Sequence, residues 1–118
     1  MRKLSWLDKV LVEADQALRT VYATAPTTER PDPAATLTDT ALLNAEERKQ
    51  IGRLMRINHT GEISAQGLYR GQALTAKRDD IRDQMERAAQ EENDHLNWTA
   101  KRLAVLDTHQ SVLNPVFY

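Results

Sequence analysis

The fold of this chain is decided by two neighbouring stretches, IGRLMRINHTGEISAQGLYRGQA at residues 51–73 and IRDQMERAAQEENDHLNWTAKRLAVL at residues 81–106. In each stretch, one narrow face at ~100° per residue is apolar at both ends and polar in the middle. The first face consists of Ile51, Met55, Asn58, Glu62, Ala65, Tyr69 and Ala73. The second consists of Ile81, Met85, Ala88, Glu92, His95, Thr99, Leu103 and Leu106. Both stretches therefore predict helices that turn these faces inward. A carboxylate on such a face is costly unless it is paired or binds a metal.

Glu62 and Glu92 are expected at the same level of an antiparallel helical hairpin. The chain should reverse near Lys77, with Glu62 15 residues before that point and Glu92 15 residues after it. At a rise of ~1.5 Å per residue, both carboxylates fall ~22 Å from the turn. His95 follows Glu92 by one helical turn, on the same face. The spacing therefore predicts a half-site of Glu62, Glu92 and His95, the set that di-iron carboxylate proteins supply twice.

This combination is more specific than its parts. Glu-x-x-His alone is common in helices, and its ordinary interpretation is a solvated glutamate beside a hydrogen-bonded histidine. A glutamate at matched depth on the facing helix favours the metal site instead. Carboxylates neutralise the charge of iron and bridge two ions, and imidazole is a good iron ligand. We expect no catalytic residue beyond these metal ligands.

Composition excludes several other classes of protein. The chain has 118 residues, which suits one domain. Its 16 basic and 17 acidic residues give no basic excess, so no nucleic-acid partner is expected. It has no cysteine, which excludes disulfides, thiolate metal sites and cysteine nucleophiles. No stretch approaches the ~20 apolar residues of a membrane-spanning helix.

The chain divides into an N-terminal helix at residues 1–22, a linker at residues 23–43 and half of a helical domain at residues 44–118. Ser5 is the expected N-cap of helix 1. The linker holds three of the four prolines and is expected to be mobile or extended. A capping box of Asn44 and Glu47 should begin helix 2. We expect this helix to run from Ala45 to about Lys77, and helix 3 from about Asp80 to Leu106.

Residues around the half-site have less specific expectations. His59 should flank the site rather than bind metal, and Asn58 could donate a hydrogen bond to a ligand carboxylate. Tyr69 is expected to be a core tyrosine rather than a redox group. Glu91 and Asp94 should point away from the site into solvent. Close packing, room for a ligand and simple tolerance remain open explanations for Gly61, Gly67 and Gly71.

Several segments resemble the demethoxyubiquinol hydroxylases of ubiquinone biosynthesis. They are RINHTGE at residues 56–62, LYRGQ at residues 68–72, EENDHL at residues 91–96 and SVLNP at residues 111–115. The 30-residue separation of Glu62 and Glu92 also matches that family. The resemblance covers residues 48–118, and helix 1 is similar to the family's bacterial N-terminal extension.

The resemblance implies an all-α, ferritin-like helical bundle, here an N-terminal helix plus an antiparallel hairpin that forms half of a four-helix di-iron bundle. It also implies a flavin-independent di-iron monooxygenase that uses dioxygen to hydroxylate the ring of a polyprenylated demethoxyubiquinol. By motif match, Glu62 would be a terminal ligand, Glu92 a bridging ligand and His95 the imidazole ligand, with two iron ions in a complete site. The expected location is peripheral, on the cytoplasmic face of the bacterial inner membrane.

The sequence departs from that family in one respect. The family carries another Glu and a second Glu-x-x-His on two further helices, and neither is present here. We therefore interpret the chain as an N-terminal part that is inactive alone. Expected partners are a second copy in a homodimer or other ubiquinone-biosynthesis proteins. Two alternatives stay open: a ferritin-like iron-binding module without hydroxylase activity, and a helical interaction hairpin without metal.

Overall fold

The computed structural model describes residues 3–22, 28–36 and 42–118, and all regular structure in these ranges is helical. The helices are α1 (Trp6–Tyr22), α2 (Ala45–Thr75), α3 (Asp79–Val105) and α4 (Asn114–Phe117). The prediction of an all-α, ferritin-like half bundle is confirmed. α2 and α3 begin and end within two residues of their expected bounds, and α1 begins directly after its expected N-cap Ser5 and ends at Tyr22. The division into helix, linker and half domain stays a prediction. Residues 23–27 and 37–41 of that linker lie outside the described residues.

Side-chain caps fix the beginnings of α1 and α2. The Asp8 amide donates to the Ser5 hydroxyl over 3.1 Å, and the Ser5 amide donates to the Asp8 carboxylate over 2.8 Å. The same reciprocal pair forms between Asn44 and Glu47, with both bonds at 2.9 Å. Each capping box satisfies backbone donors that the first helical turn leaves unpaired. Both predicted N-caps are therefore present.

The C-terminus of α3 closes with a left-handed residue that is not glycine. Asp107 has a φ of 56°. Its amide donates to the Ala104 carbonyl, and the Thr108 amide donates to the Leu103 carbonyl, both over 3.0 Å. These are the two bonds of a Schellman motif, which satisfies carbonyls at a helix end. The chain turns here and leads into α4.

The core lies along the contact between α2 and α3. Its buried apolar side chains are Ile63, Ala73, Ala89, Leu96, Leu103 and Leu106. The predicted inward face of α2 is only partly right, because Gly52, His59, Ile63, Gln66 and Ala73 are the buried residues of that helix. Of the predicted stripe, Ala73 is buried, Asn58 is exposed and the other members are half-buried. The α2 stripe therefore borders the open side of the hairpin, because two helices bury only the faces that they turn to each other.

α1 and α4 both pack on α2. Arg70 forms an ion pair of 2.9 Å with Glu13 of α1, and the Thr60 hydroxyl donates over 2.9 Å to the buried Asn114 of α4. A Cβ atom at Gly67 would collide with the backbone of Tyr118, so close approach explains this glycine. No helix in the described part of the chain is long and apolar enough to cross a membrane.

Candidate metal centre

Three donor groups from α2 and α3 meet on the open side of the hairpin. The Nδ1 atom of His95 lies 3.1 Å from a carboxylate oxygen of Glu92 and 3.4 Å from one of Glu62. One ligand atom from each of the three residues lies within 4.8 Å of the other two. The three residues lie at the same height along the two helices because the turn between Thr75 and Asp79 is short. The structure brings the predicted residues together, and metal binding by them stays a prediction.

The pKa of Glu92 is raised to about 7, first by burial and then by its hydrogen bond with Glu62 and the negative charge of that residue. His95 acts in the opposite direction. Two carboxylates held close together in a half-buried place repel each other when both are ionised. A cation would remove that cost, and two carboxylates with one imidazole form a donor set that suits iron. The residues present therefore fit half of a di-iron site.

Hydrogen bonds support the helix segments that carry these donors. The Thr99 hydroxyl donates to the backbone carbonyl of His95 over 2.8 Å. The amide nitrogen of buried Gln66 donates to the side-chain oxygen of Asn93 over 3.2 Å, which links α2 to α3 beside the site. The Gln66–Asn93 bond therefore links the two helices at the level of the donors, while the Thr99 bond lies within α3.

The flanking residues follow the sequence predictions unevenly. His59 is buried at 2 % exposure, and burial lowers its pKa. The Asn58 amide contacts the sulfur of Met55 rather than a ligand carboxylate. Tyr69 is half-buried at the edge of the open side. Glu91 is exposed, as expected, and pairs with Arg87 over 3.3 Å.

The prediction that Asp94 is solvated is wrong. Its side chain is 1 % exposed and accepts hydrogen bonds from the Glu29 amide over 2.9 Å and from Arg30 Nε over 2.7 Å. Burial raises its pKa, but the bonds from Arg30 and Glu29 outweigh burial, so the pKa lies below its usual range. Residues 28–36 cover this part of α3.

The class of protein that this fold defines is the ferritin-like helical bundle, of which the hairpin supplies two helices. The family described as ubiquinone biosynthesis protein COQ7 matches residues 49–118, which hold Glu62, Glu92 and His95. The chain belongs to this family. The resemblance of the four sequence segments is thereby confirmed.

Several curated relatives are named 3-demethoxyubiquinol 3-hydroxylase. Those of Ectopseudomonas mendocina (strain ymp) and Nitrosococcus oceani are 52 % and 50 % identical to this chain over 117 residues. That of Chromohalobacter salexigens is 53 % identical over the same length. Each match covers 99 % of this chain, so it includes α1, and 54 % of the relative. The chain thus spans about half the length of the curated relatives it matches. No solved structure matches it.

Proposed function

We propose that this chain supplies half of the di-iron site of a monooxygenase that hydroxylates the ring of a polyprenylated demethoxyubiquinol in ubiquinone biosynthesis. The observation that carries the proposal is the meeting of Glu62, Glu92 and His95 within 4.8 Å. Family membership and the printed name of the curated relatives support the same reaction. Dioxygen and the quinol are the substrates in this proposal.

Each of the three residues offers one ligand atom that could bind iron. Glu62 from α2 and Glu92 and His95 from α3 would hold iron, with two carboxylates to neutralise its charge and one imidazole as a nitrogen ligand. When bound, iron supplies the activation of dioxygen. Because the pKa of Glu92 is raised to about 7, its carboxyl group is partly protonated near neutral pH and must release that proton to become a ligand.

A peripheral position on the cytoplasmic face of the bacterial inner membrane is part of the proposal. A polyprenylated quinol resides in the lipid phase, so the enzyme must reach it there. Around α4, the side chains of Val112, Leu113, Val116 and Phe117 are 84 %, 55 %, 77 % and 49 % exposed. Exposed apolar side chains of this kind bind a membrane surface by burying apolar area.

A chimera tests the proposed reaction. In it, this chain replaces the matching half of the Ectopseudomonas mendocina relative and is expressed in a bacterium that lacks its own demethoxyubiquinol hydroxylase. We expect ubiquinone to be restored, as measured by mass spectrometry of lipid extracts. The Glu92→Ala chimera should accumulate demethoxyubiquinol, whereas the matched Glu91→Ala chimera should not.

Two outcomes would decide against this function. A folded, iron-loaded chimera that never hydroxylates the quinol would favour the iron-binding module instead. A folded chimera that takes up no iron after anaerobic ferrous loading would favour the metal-free hairpin.

A further inference from the structure

We propose that Arg30 and Trp98 are positioning residues for the ligand His95. Residues 28–36 precede α2 in the chain and contact α3 at Asp94, next to His95, and at Trp98, one turn after it. The inference rests on the proposed function in one respect, since it takes His95 to be a metal ligand. It assigns a role to a segment that contributes no donor of its own.

Residues 28–36 are anchored to α3 at Asp94. The Asp94 carboxylate is almost fully buried and accepts bonds from the Glu29 amide and from Arg30 Nε. Glu29 is held in turn by Arg87, which pairs with its carboxylate over 2.9 Å. The bond from Arg30 to Asp94 is charge-assisted, and such hydrogen bonds are stronger than neutral ones. Arg30 is therefore held in one place on the surface of α3.

Trp98 connects Arg30 to the proposed ligand His95. The guanidinium carbon of Arg30 lies 5.1 Å from the centroid of the Trp98 ring. The same ring lies 5.6 Å from the imidazole of His95, with a tilt of 43° between the planes. The Trp98 Nε1 atom is buried and has no hydrogen-bond partner. Packing and the cation above the ring, rather than a hydrogen bond from Nε1, therefore keep the indole in place.

The imidazole of His95 needs a fixed orientation if it is to act as a ligand together with the two carboxylates. The side chain of His95 is 37 % exposed, and its contacts with Glu92 and Glu62 hold only the Nδ1 edge of the ring. Its Nδ1 atom must stay turned towards Glu62 and Glu92 to act with them. Partners that hydrogen-bond a metal-binding histidine change metal affinity by about 10- to 100-fold when they are removed, and a packed ring such as Trp98 acts on the same ring orientation. Trp98 limits this rotation on one side of the ring, and Arg30 holds Trp98.

The test begins with the metal-free chain, so that it does not depend on iron. The His95 ring signals are followed by nuclear magnetic resonance in the chain and in Arg30→Ala, Trp98→Leu and Trp98→Phe. We expect the first two variants to move the His95 signals towards those of exposed His109, while Trp98→Phe, which keeps an aromatic ring, restores most of the original shift. Arg87→Ala is the matched control, because it weakens the same segment but leaves Arg30 over Trp98.

Cobalt(II) alone then serves as the metal probe, with binding followed by its visible absorption. Arg30→Ala and Trp98→Leu should weaken cobalt binding about tenfold, at the lower end of the range for such groups. Trp98→Phe and Arg87→Ala should stay within about threefold of the unchanged chain. Circular dichroism confirms that each variant keeps its helices.

Three results would overturn the inference. Unchanged His95 signals in Arg30→Ala would show that the ring is held without Arg30. Equal effects of Arg87→Ala and Arg30→Ala would show that docking of the segment matters and the contact with Trp98 does not. A His95 shift in Arg30→Ala without loss of cobalt affinity would show that ring position does not control binding. Failure of the unchanged chain to bind cobalt would instead count against the proposed metal site, and the ring signals would still decide the contact.

Discussion

At the scale of single residues, Glu91 and Glu92 adjoin in sequence but differ in burial and in the groups that they contact. Glu92 is 9 % exposed, and burial with a second carboxylate raises its pKa to about 7. Glu91 is exposed and pairs with Arg87 on the outside of α3. The ~100° rotation between successive helical residues accounts for the contrast.

Removal of a single donor should therefore abolish metal binding. In the chimera described above, Glu92→Ala and His95→Ala should each lose both iron ions after anaerobic ferrous loading, because each takes away a donor at the centre of the site. Glu91→Ala should keep them. Iron is measured by atomic emission on desalted protein. If Glu91→Ala lost iron while Glu92→Ala retained it, the assignment would be reversed.

His59 should make the chain sensitive to acid. Burial lowers its pKa, so the folded chain favours the neutral ring while the unfolded chain takes up a proton below pH ~6.5. Its contribution to stability is therefore present above that pH and is lost as the pH falls. Between pH 7.5 and 5.5, His59→Gln should lose less free energy of unfolding than the unchanged chain, because it has no ring to protonate on unfolding.

Urea unfolding at the two pH values measures this difference. His109→Gln is the matched control, because it removes an exposed histidine from the segment after α3. An equal loss of stability in His59→Gln and the unchanged chain would show that another group carries the acid sensitivity.

The sequence predicts the donors and misses their surroundings for one physical reason. Glu62, Glu92 and His95 follow from helical periodicity and a level count, which are local properties of two regular helices. Asp94 is buried by partners that lie 64 and 65 residues earlier in the chain. The periodic pattern of α3 does not indicate that a non-helical segment packs on its outer face.

At the scale of helices, the C-terminus of α3 is strained because Asp107, rather than a glycine, adopts the left-handed conformation there. Asp107 has a φ of 56°, a conformation in which a Cβ atom is unfavourable. Asp107→Gly should therefore raise the free energy of unfolding by about 0.5–1 kcal/mol, since glycine adopts this conformation without that cost. Asp107→Val should lower it, because a β-branched side chain is tolerated poorly there. Thermal melts followed by circular dichroism measure both, and a less stable glycine variant would contradict the argument.

The short helix α4 presents its apolar side chains to solvent and should carry membrane binding. Val112→Glu combined with Val116→Glu should lower the fraction of chain that sediments with liposomes of bacterial lipid at least severalfold, because buried apolar area supplies the affinity. The control is Leu42→Glu, an exposed leucine before α2 and outside this cluster. A double variant that still sediments fully would move the membrane contact elsewhere, for instance to α1, whose Trp6 is 76 % exposed.

The burial of helix faces shows what periodicity can and cannot predict. It correctly gave the extents of α2 and α3, but it merged two adjacent faces of α2 into one inward stripe. The face with Ile63 and Gln66 packs on α3, while the face with Met55 and Tyr69 borders the open side. Both faces are expected to be apolar in a four-helix bundle, so residue types alone do not separate them.

At the scale of the whole molecule, the metal site is open. Glu62, Glu92 and His95 retain side-chain exposures of 22 %, 12 % and 37 %. α1 does not enclose the donors, because it is paired with α2 at Arg70, two turns beyond Glu62. Two helices supply only half of the ligands that a dinuclear site in a four-helix bundle requires.

The 118-residue chain alone should therefore lack hydroxylase activity and should self-associate. A two-fold dimer would bring the three donors together with their copies, because an isologous interface pairs the same surface of each partner. Sedimentation velocity with and without ferrous iron should show a larger dimer fraction with iron. His95→Ala should remove that increase. A monomer that hydroxylates demethoxyubiquinol would show that half of the ligand set is sufficient.

The attachment of residues 28–36 to Asp94 has a consequence for folding kinetics. The hairpin of α2 and α3 closes through a three-residue turn, so its contacts are short in sequence and form early. The bonds from Glu29 and Arg30 close a loop of more than 60 residues, which carries a larger entropic cost. This segment should therefore dock after the hairpin has formed and detach without unfolding it. Hydrogen exchange would then detect two cooperative units in one small chain, with the amide of Glu29 exchanging well before those of α3.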